Sequence, residues 1–507
     1  MHLSPLHVVG LLATIALIIG IGIQSGRKVV SAADFSSGGS RAGAWIVCGA
    51  IMGTLVSGQA TIGTAQLAFS YGMSAWWFTL GSGIGCLILA IGYAAPLRNS
   101  GCSTLLQIVS KEYGAKAESL GSAFCSIGMF ISVVAQVLSA TALLITIFPI
   151  NRLAAAAISI ALMAFYVIFG GMWGAGMGGV AKLILLYVTS ILGGILVFVM
   201  AGGLSGLMNS LQDLLAGTAL GGYSGLTDAG SVHARFTSLL ARGASKDIGS
   251  ALSLLLGVLS TQTYAQAIWS GKTERAAKKG ALFSAFLIPP IGIACILIGL
   301  YMRGHCITTD EVLALQAMGQ SVPDGLIQIA STSQVFPVFV VNFMPKLLGG
   351  IVLGTLFITV VGGGSGLALG MASILVTDIF ARKNPKVKES GINLEVTRGT
   401  IMVILVIAAA VAILVPGAMI NDFGFLSMGL RGAVVFLPMC GGLWLKGRIP
   451  SRFALAAIIA GPVAVLAGKL LAIPFDPLFL GMAVCLVIMG AGLHSGNHRR
   501  LPLSFHH

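Results

Sequence analysis

Two stretches of this sequence mix residues that a lipid-facing helix tolerates poorly with residues suited to holding ions and solutes. The first, near residues 44–70, places Gly49, Gly53, Ser57, Gly58, Gln59, Thr61 and Gly63 in the middle of an apolar run. The second, LLGVLSTQTYAQAIW, sets Ser260, Thr261, Gln262 and Thr263 in a row. Four consecutive polar residues cover every face of a helix, so some of them are expected to line a cavity or a break. The competing reading is that the hydroxyls bond back to their own helix carbonyls. A broken helix exposes backbone carbonyls and N–H groups, which bind cations and anions respectively. Leu55, Ser57, Gln59, Ser260, Thr261 and Gln262 are therefore candidate solute-binding residues. Arg431, deep in the apolar run GFLSMGLRGAVVFLP, is another. An arginine at mid-membrane costs roughly 2.5–3.5 kcal/mol on insertion scales, so it is expected to face the bundle interior. There it would hold a solute carboxylate by paired hydrogen bonds, which makes a small organic anion a candidate solute. Alternatively it bonds broken-helix carbonyls or an outer gate.

The elements that must position these residues follow from composition. Hydrophobic residues make up 56% of the 507 residues and charged residues 9%, against roughly 25% charged in soluble proteins. Most of the solvent for this chain is therefore lipid. The net charge of +14 lies in short loops between apolar spans, where membrane topology explains it better than nucleic-acid binding does. Eight scattered cysteines form no CxxC or Cys/His cluster, so neither a disulfide framework nor a metal site is expected. No ATPase or kinase module is visible, and no catalytic role is expected.

A span needs roughly 20 apolar residues. Intervals of that kind lie near 6–25, 44–70, 75–97, 118–148, 152–170, 179–205, 247–270, 281–302, 346–380, 399–416, 421–445, 452–472 and 477–494. The expected fold is an all-α integral membrane protein with about 13 transmembrane helices. Alternate loops carry the cations, among them Arg27, Lys28, Arg41, Arg98, Lys272, Arg275, Arg382, Lys383, Lys446, Arg499 and Arg500. That bias predicts an N-terminus outside and a C-terminus in the cytoplasm of a cell membrane. Each polar stretch opens a group of five spans. Two inverted five-helix repeats with broken first helices are therefore expected, with the solute between them. The expected units are 1–43, an extra span and loop; 44–205, the first repeat; 206–246, an extracellular loop; 247–445, the second repeat; and 446–507, two spans and a tail. Within the loop 303–345, DEVLALQAMGQ reads as a short amphipathic helix over the outer mouth. Asp378, among cytoplasmic cations, is expected to pair with one of them.

Over about residues 6–490 the sequence resembles the sodium:solute symporter family, which has the leucine-transporter fold. The resemblance is carried by SGQATIG…YGMSAWW (57–63 and 71–77), YVIFGGMWG (166–174), ASILVTDIF (372–380) and VVFLPMCGGLWLKG (434–447). It implies alternating access and solute uptake coupled to an ion gradient. It also implies a sodium site built from the backbone carbonyls of Gly53, Val56 and Thr359 and from two hydroxyls on the ninth span. Those hydroxyl positions are occupied by Gly362 and Gly363, so sodium, the one ion implied, would meet a degenerate site. Near the site's exit, where the family carries Asp, this chain has Lys182. An ammonium there could occupy the missing sodium's place and exchange a proton during transport. Alternatively Lys182 snorkels to the cytoplasm as one more inside charge. The expected activity is uptake of a small polar solute with sodium or proton coupling. The alternatives are an ion-independent facilitator and a non-transporting sensor or scaffold. The pocket candidates match no sugar- or proline-binding set, and a monomer could contain the whole pathway.

Overall fold

The computed structural model describes residues 3–26, 40–415 and 418–498. The cations Arg27, Lys28, Arg499 and Arg500 lie outside the described residues, as do the side chains from residue 169 to 177, which include the FGGMWG end of the YVIFGGMWG motif. Every expected apolar interval carries helix. Among the described residues nine helices are long and apolar enough to cross a bilayer, or ten if one bent pair is counted as a single span. Shorter apolar helices, among them Ala44–Leu55 and Arg152–Ile168, fall below that length.

Helix α1 (Pro5–Gly26) is followed by α2 (Ala44–Leu55), which stops where Val56 takes φ −82° and ψ 89°. The chain resumes as a π turn, Gln59–Gly63, closed by Gly63 N–H donating to the Gly58 carbonyl at 2.8 Å. It then continues into α3 (Thr64–Tyr71) and α4 (Trp77–Ile88). After α5 (Leu105–Tyr113) and α6 (Ala115–Ile147) comes α7 (Arg152–Met200), helical throughout its 49 residues. A straight helix of that length would measure about 73 Å, more than twice a bilayer's hydrocarbon core. It is not straight. A Cβ on Gly178 would fall 2.2 Å from the Tyr166 hydroxyl, whereas residues twelve apart in a straight helix are separated by about 18 Å. The two arms of α7 therefore fold back on each other.

Residues 206–246 are more ordered than a Gly/Ser-rich loop. They carry most of α8 (Gly203–Leu215) and α9 (Ala229–Thr237). A reciprocal cap between Asp228 and Ser231 starts α9. The Ser231 amide donates to the Asp228 carboxyl and holds it below the usual carboxylate range.

The second polar stretch also breaks its helix. Helix α10 (Ala244–Leu259) and α11 (Gln262–Ser270) meet at 44°, with Ser260 and the extended Thr261 between them. Next come α12 (Glu274–Arg303) and α13 (Thr309–Ala317), the latter a short helix where one was expected but without a clean apolar face, since Glu311 is buried and Leu313 exposed. A short parallel pair, β1 (Cys306–Thr308) and β2 (Ile327–Ile329), flanks α13. Then follow α14 (Val335–Phe343), α15 (Lys346–Ile374), α16 (Ser390–Leu414), α17 (Ile420–Trp444), α18 (Ser451–Leu470) and α19 (Pro477–His498).

The end of α11 is tied to distant segments of the chain. Trp269 Nε1 donates to the Leu97 carbonyl at 2.7 Å. Ala42 N–H donates to the Ser270 carbonyl at the end of α11, and the Ala42 carbonyl accepts from Lys272 N–H, both at 2.8 Å. Asp378, expected to pair with a cation, is instead buried and accepts hydroxyl bonds from Thr104 and Ser122 at 2.8–3.0 Å. The nearby cation, Arg382, pairs with Glu118.

Candidate functional site: two broken helices and their buried cations

At the first break, the end of α2 leaves backbone carbonyls without helical partners, and the helix dipole makes that end attractive to cations. Helix α7 reaches it by close backbone approach, since a Cβ on Gly179 would fall 1.9 Å from the Gly49 carbonyl oxygen. One turn on along both helices, Lys182 Nζ donates to the carbonyls of Gly53 at 2.6 Å and Val56 at 2.7 Å. The residue is 3% exposed, so it points into the protein and does not reach toward the bilayer surface. Thr359, the third expected carbonyl donor, is not among its partners. Thr359 is fully buried on α15, and its hydroxyl has no partner.

The two glycines of α15 differ in role. A Cβ on Gly362 would lie 3.6 Å from the Gly53 oxygen and 3.9 Å from Lys182 Nζ, so Gly362 borders the ammonium with room to spare. A Cβ on Gly363 would lie 2.5 Å from Ser57 Cβ, so Gly363 admits the broken chain rather than the lysine. Gln136 on α6 holds the break itself. Its Oε1 accepts from Gly58 N–H at 3.0 Å, and its Nε2 donates to Ser57 Oγ at 2.9 Å.

At the second break, Arg431 on α17 is fully buried. Its guanidinium donates to Thr261 Oγ1 at 2.7 Å, to Ser427 Oγ at 2.9 Å and its carbonyl at 3.1 Å, and to Ser132 Oγ at 3.2 Å. No carboxylate is among its partners. Thr261 in turn donates to the Gly257 carbonyl at 2.5 Å. Gln262 turns away from the break. Its Oε1 accepts from Leu105 N–H and its Nε2 donates to the Ser103 carbonyl, both at 2.9 Å, which pins the start of α5. Of the expected solute residues, Ser57, Thr261, Gln262 and Arg431 are thus engaged within the protein. Leu55 is buried, and Gln59 Nε2 and Ser260 Oγ are buried without partners.

Sequence reasoning passed over Gln136 and Ser132, although a signal was present. Ser132, Gln136 and Ser139 recur at helical spacing down an apolar span. Asn421, in the first turn of α17, is fully buried with neither polar atom bonded, and it too was missed.

A helical membrane bundle with interrupted spans is an architecture used by secondary transporters. The chain matches the sodium:solute symporter family over residues 35–461 and belongs to it. Uncharacterized symporter YwcA of Bacillus subtilis (strain 168) is 28% identical over 150 residues; the match covers 29% of this chain and 29% of that relative's length. The fold resembles the substrate-bound, outward-open state of a Na+-coupled sialic acid symporter, with TM-score 0.72, 17% identity and 98% of both chains covered. It also resembles Mhp1, a nucleobase-cation-symport-1 family transporter closed around bromovinylhydantoin. There the TM-score is 0.53 and the identity 12%, over 92% of this chain and 95% of that one.

Proposed function

We propose that this chain is a secondary active transporter that takes up a small polar solute by alternating access, with Lys182 standing where its family places sodium. The observation that carries this reading is the Lys182 ammonium on the Gly53 and Val56 carbonyls, at 2.6 and 2.7 Å. Sodium at those oxygens would be replaced by a cation fixed to the chain. A lysine can lose and regain its charge, so a proton takes over the coupling role in this reading. The polypeptide crosses a cell membrane about thirteen times, with the N-terminus outside and the cation-rich loops toward the cytoplasm. One chain contains the whole pathway. If Lys182 stays charged throughout the cycle, the same geometry serves an ion-independent facilitator, which equilibrates solute without concentrating it.

The test compares melting of the purified chain and of Lys182→Ala in sodium and in choline at equal ionic strength, over a pH series. Wild type is expected to show no sodium-specific gain. Lys182→Ala is expected to gain a sodium response, up to about 2.7 kcal/mol at a hundred times the dissociation constant. A sodium response in wild type that the substitution leaves unchanged would sink the reading.

A further inference from the structure

Buried polar groups in folded proteins are nearly always hydrogen-bonded. In this chain some of the exceptions gather at one interface, between the π turn after the first break and the first turn of α17. The unpartnered buried atoms there are Gln59 Nε2 and both Oδ1 and Nδ2 of Asn421. Gln59 is 2% and Asn421 1% exposed. Each carboxamide lies on a glycine of the opposite element. A Cβ on Gly424 would fall 3.0 Å from Gln59 Nε2, and a Cβ on Gly63 would fall 2.3 Å from Asn421 Oδ1. Gln59 precedes Gly63 by four residues and Asn421 precedes Gly424 by three, so the arrangement is reciprocal and each amide has its own niche. Phe78 adjoins the same spot, 2.9 Å from the Gly424 Cβ position, and its ring meets Phe425 at 5.8 Å.

Neither amide has a structural task. No side chain caps α17, and the Ile420 N–H is taken by Gln66 Oε1 at 3.1 Å.

We propose that Gln59 and Asn421 form the solute-recognition pair, and that the group they read is an uncharged edge carrying a donor and an acceptor side by side, as in a carboxamide, a lactam or a urea. Asn421 offers one acceptor and a donor, and Gln59 a further donor. A carboxylate brings acceptors alone and would leave the Asn421 oxygen unpaired; an ammonium brings donors alone and would leave both amide nitrogens unpaired. The buried arginine, Arg431, is committed to its own hydroxyls and helix carbonyl. The Phe78–Phe425 wall suits the flat face of an amide. This assignment rests on the transporter reading and names the solute class of its site.

Asn421→Leu keeps most of the side-chain volume and removes both orphan atoms. In the ligand-free full chain its melting temperature is expected to hold or rise, since an unsatisfied buried amide is lost. A clear fall would mean that the amide supports the fold, and would overturn the proposal. With 2-pyrrolidinone and urea as probes, wild type is expected to gain thermal stability that acetate and ammonium chloride do not supply. Asn421→Leu is expected to lose about tenfold or more in apparent affinity for the amide probes. No gain with either amide probe in wild type, or equal stabilisation of both proteins by acetate, would overturn it. Uptake into vesicles is scored separately. Absent uptake with probe binding intact would count against transport and leave the recognition pair standing.

Discussion

The two helix breaks solve one problem with different cations. Each interruption leaves a half-helix end inside the membrane, and each is met by a buried positive side chain from another helix. At the first break, the Lys182 ammonium sits directly on the α2 carbonyls. At the second, the Arg431 guanidinium reaches the break only through the Thr261 hydroxyl, and spreads its other bonds over Ser132 and Ser427. A lysine is a compact charge that can be neutralised, whereas an arginine keeps its charge and its planar fork. On the proposed function, the difference separates a break built to change state from a break built to stay joined to α6 and α17.

The sharpest way to break that comparison is Arg431→Met. It strips several charge-assisted bonds from three elements, each worth about 1.5–3 kcal/mol. The expected result is the largest loss of the series, about 3 kcal/mol or more, seen as a drop in melting temperature and yield. Arg431→Lys is expected to restore little of it, because one ammonium cannot span the three hydroxyls. A stable Arg431→Met protein that has merely lost binding of an organic anion would return Arg431 to the solute pathway.

The next test sharpens the first break. Gly363→Ser drives a Cβ toward Ser57 and is expected to cost about 1–3 kcal/mol by overpacking. Gly362→Ser meets only ordinary contacts, at 3.6 Å from the Gly53 oxygen and 3.9 Å from Lys182 Nζ, and is expected to melt close to wild type. Equal losses at the two positions would mean that Gly362 also serves close packing. Gln262→Leu is expected to cost about 1–3 kcal/mol, from the two bonds to residues 103 and 105. An effect on solute affinity with stability unchanged would place Gln262 back in the site.

Much of this was legible in advance, because lipid imposes apolar runs of a set length and punishes exceptions. The spans, the two interruptions and the buried position of Arg431 follow from that one constraint; Lys182, a turn or so into its span, left burial and snorkelling both open. Directions within a polar cluster do not. In Ser260–Thr263 all faces of the helix are polar, so nothing in the pattern distinguishes Thr261, which meets Arg431, from Gln262, which holds α5. Asp378 read as a surface charge because its hydroxyl partners, Thr104 and Ser122, lie more than 250 residues away in sequence. The helices α8 and α9 hid behind a Gly/Ser composition, although Asp228 and Ser231 at the start of α9 have cap spacing. Gln136 and Asn421 gain meaning only from the glycines and broken backbone that the fold brings against them.

The π turn at Gln59–Gly63 has a consequence for how this segment tolerates change in length. A π turn accommodates one residue more than an α-helical turn would hold. Deleting a single residue there would let the turn relax to ordinary helix, and α3 would keep its phase, because the π turn spends one extra residue on the same winding. Gln66, which joins α3 to Thr332 and to the start of α17, would stay aimed at both partners. A deletion on α3 itself, between this turn and Gln66, has no such slack and would rotate Gln66 by roughly 100° off them. The segment thus carries a spare residue, and its length is constrained less tightly than that of the regular helix beyond it.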